Sequence, residues 1–340
     1  MKKKLSILGL IVFLGTNTFA EEAPQTLEQL KAENLTLKEK LAKTVLVVED
    51  SGKAEIIKQG NQGEEWQVSA RTYIEKEKYD LGSKDFGESE NILMFGTGIN
   101  AVKGNWGYHL NVEQRGTGHI NSDGADNQNT RVDYKIRYQA TPKIGVAFKY
   151  RSERGTKKRD AYAAEQNRNR DRVELGLDSS YQYVSGWFVV GHDVDSTNGA
   201  KNKGNYYEGD LGPTFSITDN FALRPTVYST GEFYNNNDET MYDHQVRLMG
   251  IYQATDKLTI MPRVRYSLLR DLSETSKTYD YTSDYRVRAE LLAAYKINDQ
   301  WSVDGGIAYD WQDREYDRGT YKENKNIDMF WYTAGVNYKF

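Results

Sequence analysis

The last nine residues, Tyr332-Thr333-Ala334-Gly335-Val336-Asn337-Tyr338-Lys339-Phe340, alternate apolar side chains with polar or small ones. Successive side chains of a strand point to opposite faces, so Tyr332, Ala334, Val336, Tyr338 and Phe340 share one face while Thr333, Asn337 and Lys339 share the other. A strand that is greasy on one side, wet on the other and closed by a terminal phenylalanine is how an outer-membrane β-barrel ends. The constraint is severe, because the rest of the chain must then supply an even set of such strands to close the sheet.

The start of the chain sets the compartment. Lys2, Lys3 and Lys4 precede an apolar run from Leu5 to Leu14, and Thr18-Phe19-Ala20 gives a small-x-small cleavage pattern before Glu21. Residues 1–20 therefore read as a Sec-type signal peptide. Losing its three lysines takes the formal charge from −4 to −7. A mildly acidic mature chain argues against nucleic acid as a partner. Beyond residue 20 there is no run of eighteen or more apolar residues, which excludes a helical membrane protein. The mean hydropathy is negative, as it is in barrels whose strands face water on one side. With 25 Tyr, 11 Phe and 6 Trp the chain is rich in the residues that gather at membrane interfaces.

Residues 21–50 differ in character from the remainder of the chain. Leu27, Leu30, Leu37 and Leu41 fall on a and d positions with Asn34 on an a position, which predicts a short periplasmic helix of coiled-coil type. So short a helix is marginal alone, and self-association through 21–50 would stabilise it; a solvated amphipathic helix is the alternative. Residues 51–65, with Gly60-Asn61-Gln62-Gly63, read as a linker. From 66 to 340 there are about fourteen candidate strands, so the expected fold is all-β: a transmembrane antiparallel up-and-down barrel with both termini periplasmic.

The connections carry as much information as the strands. Alternate ones are tight and rich in turn formers: Lys103-Gly104-Asn105, Thr141-Pro142-Lys143, Val184-Ser185-Gly186, Thr218-Asp219-Asn220, Thr255-Asp256-Lys257 and Asn298-Asp299-Gln300. The intervening ones read as long polar loops, such as Glu153 to Asp171 and Asp271 to Asp284. Trp106, Ile144, Trp187, Phe221, Leu258 and Trp301 come after the tight turns, and Tyr138, Tyr183, Phe215, Tyr252 and Tyr295 precede them. Together they predict an aromatic girdle at one rim, in contact with outer-membrane lipid.

Placing the apolar set outside fixes the inside. The strand Tyr285 to Lys296 leaves Arg286, Arg288, Glu290 and Lys296 facing inward, and the strand from Leu258 leaves Arg263 and Arg265. The same registration turns Arg71, Arg115, Lys135, Arg137, Lys149, Arg151, Arg172, Arg224 and Arg247 inward. With them go Glu113, Asp133, Glu174, Asp178, Glu208, Asp210, Asp304 and Asp310. Charges at mid-membrane depth require water or partners, so these residues either line an aqueous bore or pair across neighbouring strands. Basic residues outnumber acidic ones in this set, which predicts weak anion preference. No cofactor box or metal constellation stands out, and Gly96-Thr97-Gly98 is a strand glycine pair, not a phosphate cradle.

Tyr309-Asp310-Trp311-Gln312-Asp313 and Ala334-Gly335-Val336-Asn337-Tyr338-Lys339-Phe340, with Ala222-Leu223-Arg224-Pro225, resemble the outer membrane protein G family of monomeric fourteen-stranded porins. The resemblance implies passage of ions and small hydrophilic solutes such as mono- and oligosaccharides, and no catalysis. It also implies that Tyr332, Val336, Tyr338 and Phe340 form the signal presented to the barrel assembly machinery. Family members gate with pH through a histidine pair near the twelfth strand. Here the histidines are His109, His119, His192 and His244, and those strands carry none. The 21–50 segment also departs from the family and leaves a trimer open.

Two rivals remain. A barrel hydrolase would need a histidine beside an acid or hydroxyl, and His192-Asp193 with Asp195 and Ser196 is the candidate; neighbours in a strand point apart, which speaks against it. An adhesin or structural anchor would use its surface loops, and Arg154, Lys157, Lys158, Arg159, Arg168 and Arg170 in 153–171 suit an acidic partner.

Overall fold

A computed structural model describes residues 44–48, 54–58, 65–81, 91–116, 126–158, 164–181, 183–235, 240–273, 280–317 and 322–340. The proposed leader at 1–20 and most of the 21–50 segment lie outside these residues. Thr44–Val48 (β1) and Ala54–Lys58 (β2) form a separate antiparallel hairpin. This corrects both the helix expected to reach residue 50 and the linker expected over 51–65. The heptad leucines end at Leu41, and Thr44-Val45-Leu46-Val47-Val48 is a β-branched run that favours strand.

The remaining strands are Gln67–Leu81 (β3), Asn91–Lys103 (β4), Trp106–Gly116 (β5), Asp126–Thr141 (β6), Ile144–Lys158 (β7), Gln166–Tyr181 (β8), Val184–Thr197 (β9) and Ala200–Gly212 (β10). Then come Phe215–Thr218 (β11), Phe221–Tyr234 (β12), Thr240–Gln253 (β13), Leu258–Ser273 (β14), Asp280–Lys296 (β15), Trp301–Asp317 (β16) and Lys322–Lys339 (β17). Consecutive strands of this set pair antiparallel except β10 and β11, which both pair with β12, and β17 pairs with β3. The sheet is therefore a closed all-β barrel. Short β11 continues the line of β10 beyond Gly212-Pro213-Thr214, so fifteen strands make fourteen staves. Pro213 has no N–H to give, and the ladder breaks there.

The tight turns sit at the rim where β3 begins and β17 ends. Side-chain oxygens close several of them. Thr141 Oγ1 accepts from the Ile144 amide at 3.1 Å, Thr255 Oγ1 from Leu258 at 3.1 Å, and Asn298 Oδ1 from Trp301 at 2.8 Å. In the last turn Asp299, fully exposed, is held below the usual carboxylate range by its hydrogen bond from Lys296.

The opposite rim departs from expectation. Both supposed long loops are largely strand, because β7 runs to Lys158 and β8 starts at Gln166, while β14 runs to Ser273 and β15 starts at Asp280. Strand that projects beyond the apolar belt has two polar faces, which erases the alternation that marks a strand in sequence. The connection from β9 to β10 is a two-residue turn at Asn198-Gly199, with φ of 48° and 86°. Both angles are left-handed, and Asn-Gly is the pair that tolerates them.

Outward side chains are apolar and bare along the middle of the wall: Phe95, Leu175, Leu177, Val227, Val264 and Leu291 are each 47–63% exposed. Aromatic pairs mark the tight-turn rim, Trp106 with Tyr138 at 4.8 Å and Trp301 with Tyr338 at 4.6 Å. A second cluster, Tyr309, Trp311, Phe330 and Tyr332, lies further along β16 and β17. From Trp301 to Trp311 the strand climbs about 33 Å, or roughly 25 Å along the axis of a barrel tilted by about 40°. Trp187 corrects the expected girdle. It stands opposite Asp178 and Asp210, both inward, because β9 starts at Val184 and puts Phe188 and Val190 outside instead.

Inside, the ring of Tyr73 lies across Gly96, where any Cβ would collide with it, and the Tyr73 hydroxyl donates to Glu113 at 2.5 Å. Gly96→Val should therefore lower stability by about 1–3 kcal/mol. The check is the midpoint of the heat-induced mobility shift of folded protein on gels, and an unchanged midpoint would contradict this packing.

Candidate functional site

Of the twenty-three charged residues placed inward from the sequence, Lys296 lies at the rim and the rest sit on the inner face of the wall: Arg71, Arg115, Lys135, Arg137, Lys149, Arg151, Glu174, Asp178, Glu208, Asp210, Arg224, Arg247, Arg263, Arg265, Arg286, Arg288, Glu290, Asp304 and Asp310, together with Arg172, Glu113 and Asp133. The parity that exposes their strand neighbours on the outer wall fixes this. What they do there differs between the two halves of the barrel.

On β13 to β17 the inner wall is packed. Met249, Met261, Leu292, Ala308, Met329 and Trp331 form a buried apolar cluster with Tyr79 and Ile251 against it. Guanidinium groups lie beside this cluster. Glu290 takes Arg265 at 2.8 Å and Arg288 at 2.6 Å, Arg263 is bonded to it as well, and Arg288 stands 5.0 Å from the centre of the Trp331 ring. Arg286 bridges Asp310 at 2.7 Å and Asp243 at 2.9 Å. Arg263, Arg265, Arg288 and Glu290 are each at most 5% exposed, so they hold the wall together and do not border a wide channel. The apolar cluster escaped the sequence reading because Met249, Met261 and Leu292 alternate with outward residues that are equally apolar.

On β3 to β12 the wall is also laced with ion pairs. Arg71 meets Asp304 at 2.5 Å, Arg137 meets Asp178 at 2.5 Å, and Arg151 meets Asp133 at 2.8 Å. Arg172 lies 3.6 Å over the Tyr206 ring and reaches Asp193 at 2.7 Å and Glu232 at 2.6 Å. Arg247 lies 3.5 Å over Tyr228 and meets Asp210 at 2.9 Å. Asp193, Glu232, Asp243, Glu75 and Arg131 were not among the expected residues, although the same strand parity turns each of them inward.

This half retains a cavity of about 340 Å³. Its bases are Arg115, Arg131, Lys135, Lys149, Arg151 and Arg172; its acids are Glu75, Glu77, Glu174, Asp178, Glu208 and Glu232. Six face six, so the excess of basic residues that suggested anion preference does not hold at the open part of the interior.

Other candidates separate. His192 points outward, with Nδ1 3.2 Å from Asn205 Oδ1, whereas Asp193 points inward to Arg170 and Arg172, so the two do not converge. Three basic residues of the supposed 153–171 loop are engaged, Arg154 with Asp171 at 2.7 Å, Arg168 with Asp195 at 2.7 Å, Arg170 with Asp193 and Glu232 at 2.9 Å; Arg159 and the side chains of Lys157 and Lys158 lie outside the described residues. Lys296 sits at the rim beside Asp299 and not in the bore.

No protein-family model and no curated protein matches the sequence. Solved structures do share the fold. The CymD monoaromatic hydrocarbon channel superposes with a TM-score of 0.54 at 10% identity, over 81% of this chain and 88% of that one. OmpT, an outer membrane protein of Vibrio cholerae, gives 0.40 at 13% identity over 81% and 98%, and the translocator domain of the autotransporter NalP from Neisseria meningitidis gives 0.42 at 14% over 92% and 98%. At these identities the likeness concerns fold alone.

Glu290→Gln should cost about 3–5 kcal/mol, since it leaves three buried guanidinium groups without their shared carboxylate. Denaturant titration in detergent or lipid measures this, and a loss below about 1 kcal/mol would mean that water reaches the cluster.

Proposed function

We propose that the protein is a channel of the Gram-negative outer membrane that passes ions and small hydrophilic solutes, mono- and oligosaccharides among them. The observation that carries this reading is the inversion of the fold, a bare apolar wall outside and a charged cavity inside. An apolar belt around a whole barrel far exceeds the patch sizes tolerated in water, and hydrocarbon is the medium that accepts it. The two aromatic clusters, spaced to match a bilayer core, support the same medium, and the signal peptide read from residues 1–20 supplies the route. The barrel's first and last strands end at the tight-turn rim, which would face the periplasm. The resemblance to the outer membrane protein G family adds the solute class.

The packed half narrows the bore, so single-channel conductance should be small for a fourteen-stranded barrel. The balanced cavity should give a cation-to-anion permeability ratio near unity. Reversal potentials across a planar bilayer under a KCl gradient test this, and absence of any conductance would overturn the channel reading. An adhesin or structural anchor would then stand in its place, although Arg154, Arg168 and Arg170 are already paired within the wall. For the membrane itself, Leu175→Arg should raise the free energy of folding into vesicles by about 2–4 kcal/mol. Little change there would remove Leu175 from the lipid face.

A further inference from the structure

Resting on the channel reading, we infer that the interior cavity is a binding subsite for zwitterionic solutes, amino acids and short peptides, with the carboxylate on Lys135 and Lys149 and the ammonium toward Glu208 and Glu232.

The recess exists because one stretch of the inner wall lacks bulk. Pairing across β6, β7, β8, β9, β10 and β12 sets two neighbouring inward rows: Lys135, Lys149, Glu174, Gly191, Tyr206, Glu232, and beside it Arg137, Ala147, Gly176, Val189, Glu208, Thr230. Ala147, Gly176 and Val189 occupy the middle of the second row and leave the floor open. Charge collects at the two edges.

At the β6–β7 edge two ammonium groups oppose each other directly, an arrangement that is unfavourable by itself. Lys149 reaches Glu174 at 3.4 Å. Lys135 has no hydrogen-bond or ion-pair partner among the described residues, though it faces the cavity. A solute carboxylate placed between them would relieve the repulsion. At the β10–β12 edge Glu208 is oriented by hydroxyls from Tyr228, at 2.9 Å, and from Tyr206. Trp187 and Val189 offer apolar surface between the edges.

The edges lie on strands three steps apart, about 14 Å along the wall. Long side chains reaching in from both shorten the gap to the scale of a short peptide at ~3.5 Å per residue. The even balance of acids and bases suits a solute with two opposite charges and gives no net pull to one with a single charge.

The test uses the full chain, with dialanine as the zwitterion and N-acetyl-dialanine, dialanine amide and maltose as comparisons. Dialanine should interrupt single-channel currents and bind purified protein in calorimetry, about tenfold or more tighter than either capped form or the sugar. Lys135→Met should weaken dialanine and N-acetyl-dialanine alike, whereas Glu208→Gln should weaken dialanine and dialanine amide and leave N-acetyl-dialanine unchanged. Equal affinity for zwitterion and capped peptides, or no effect of either substitution in correctly folded protein, overturns the subsite. A channel without this discrimination sinks the subsite and spares the channel; calorimetric binding without conductance does the reverse; neither signal removes both.

Discussion

The hydrogen-bonded seam between β17 and β3 is what the rest of the molecule depends on. From Lys339 opposite Ser69 to Ile327 opposite Leu81 it joins the last strand to the first barrel strand, so neither of these two is left with an edge of bare amides and carbonyls. An apolar outer wall would be untenable with an open edge, because unpaired backbone groups in hydrocarbon cost several kcal/mol each. Closure thus comes before everything else: it makes the lipid-facing belt possible and separates an inside from an outside.

Given closure, the interior has to dispose of many charges. It does so mainly by pairing them along the wall, between a strand and its first, second or third neighbour. Arg172, for instance, sits on Tyr206 and shares Asp193 and Glu232 with Arg170. Such pairs contribute little net stability but make the loss of one partner expensive, so they specify one arrangement of the wall more than they strengthen it. The methionine and tryptophan cluster on β13 to β17 then fills the side where Arg263, Arg265 and Arg288 crowd around Glu290. Packing on that side and small residues on the other displace the open volume toward β6 to β12.

This asymmetry is what gives the interior chemical character. A bore lined evenly with solvated charges would discriminate little. Here the free volume borders a particular set of groups, two lysines in register on one edge and, on the other, Glu208 held by tyrosine hydroxyls and Glu232 held by arginines, with tryptophan between. Where the free volume lies is therefore decided by which wall positions are small.

Much of this was legible in the sequence. Period-two alternation, as in Tyr332 to Phe340, assigns every side chain of a strand to one face once one of them is known, and so the charged wall residues named from sequence lie on the inner face, with Lys296 at its rim. Turn chemistry at Thr141, Thr255 and Asn298 marked one rim. Strand ends at the other rim were not legible, because polar strand beyond the apolar belt has the same composition as a loop, and the Asn198-Gly199 signal was overlooked within it. Nor could alternation show that Trp187 begins an inward row, since that parity depends on where β9 starts. Which charges pair, and whether water or methionine lies next to Arg263, depends on contacts between residues far apart in the chain. Sequence determined the two faces of each strand; only the closed barrel, by fixing the neighbours of each strand in register, decided where the interior is filled and where it stays open.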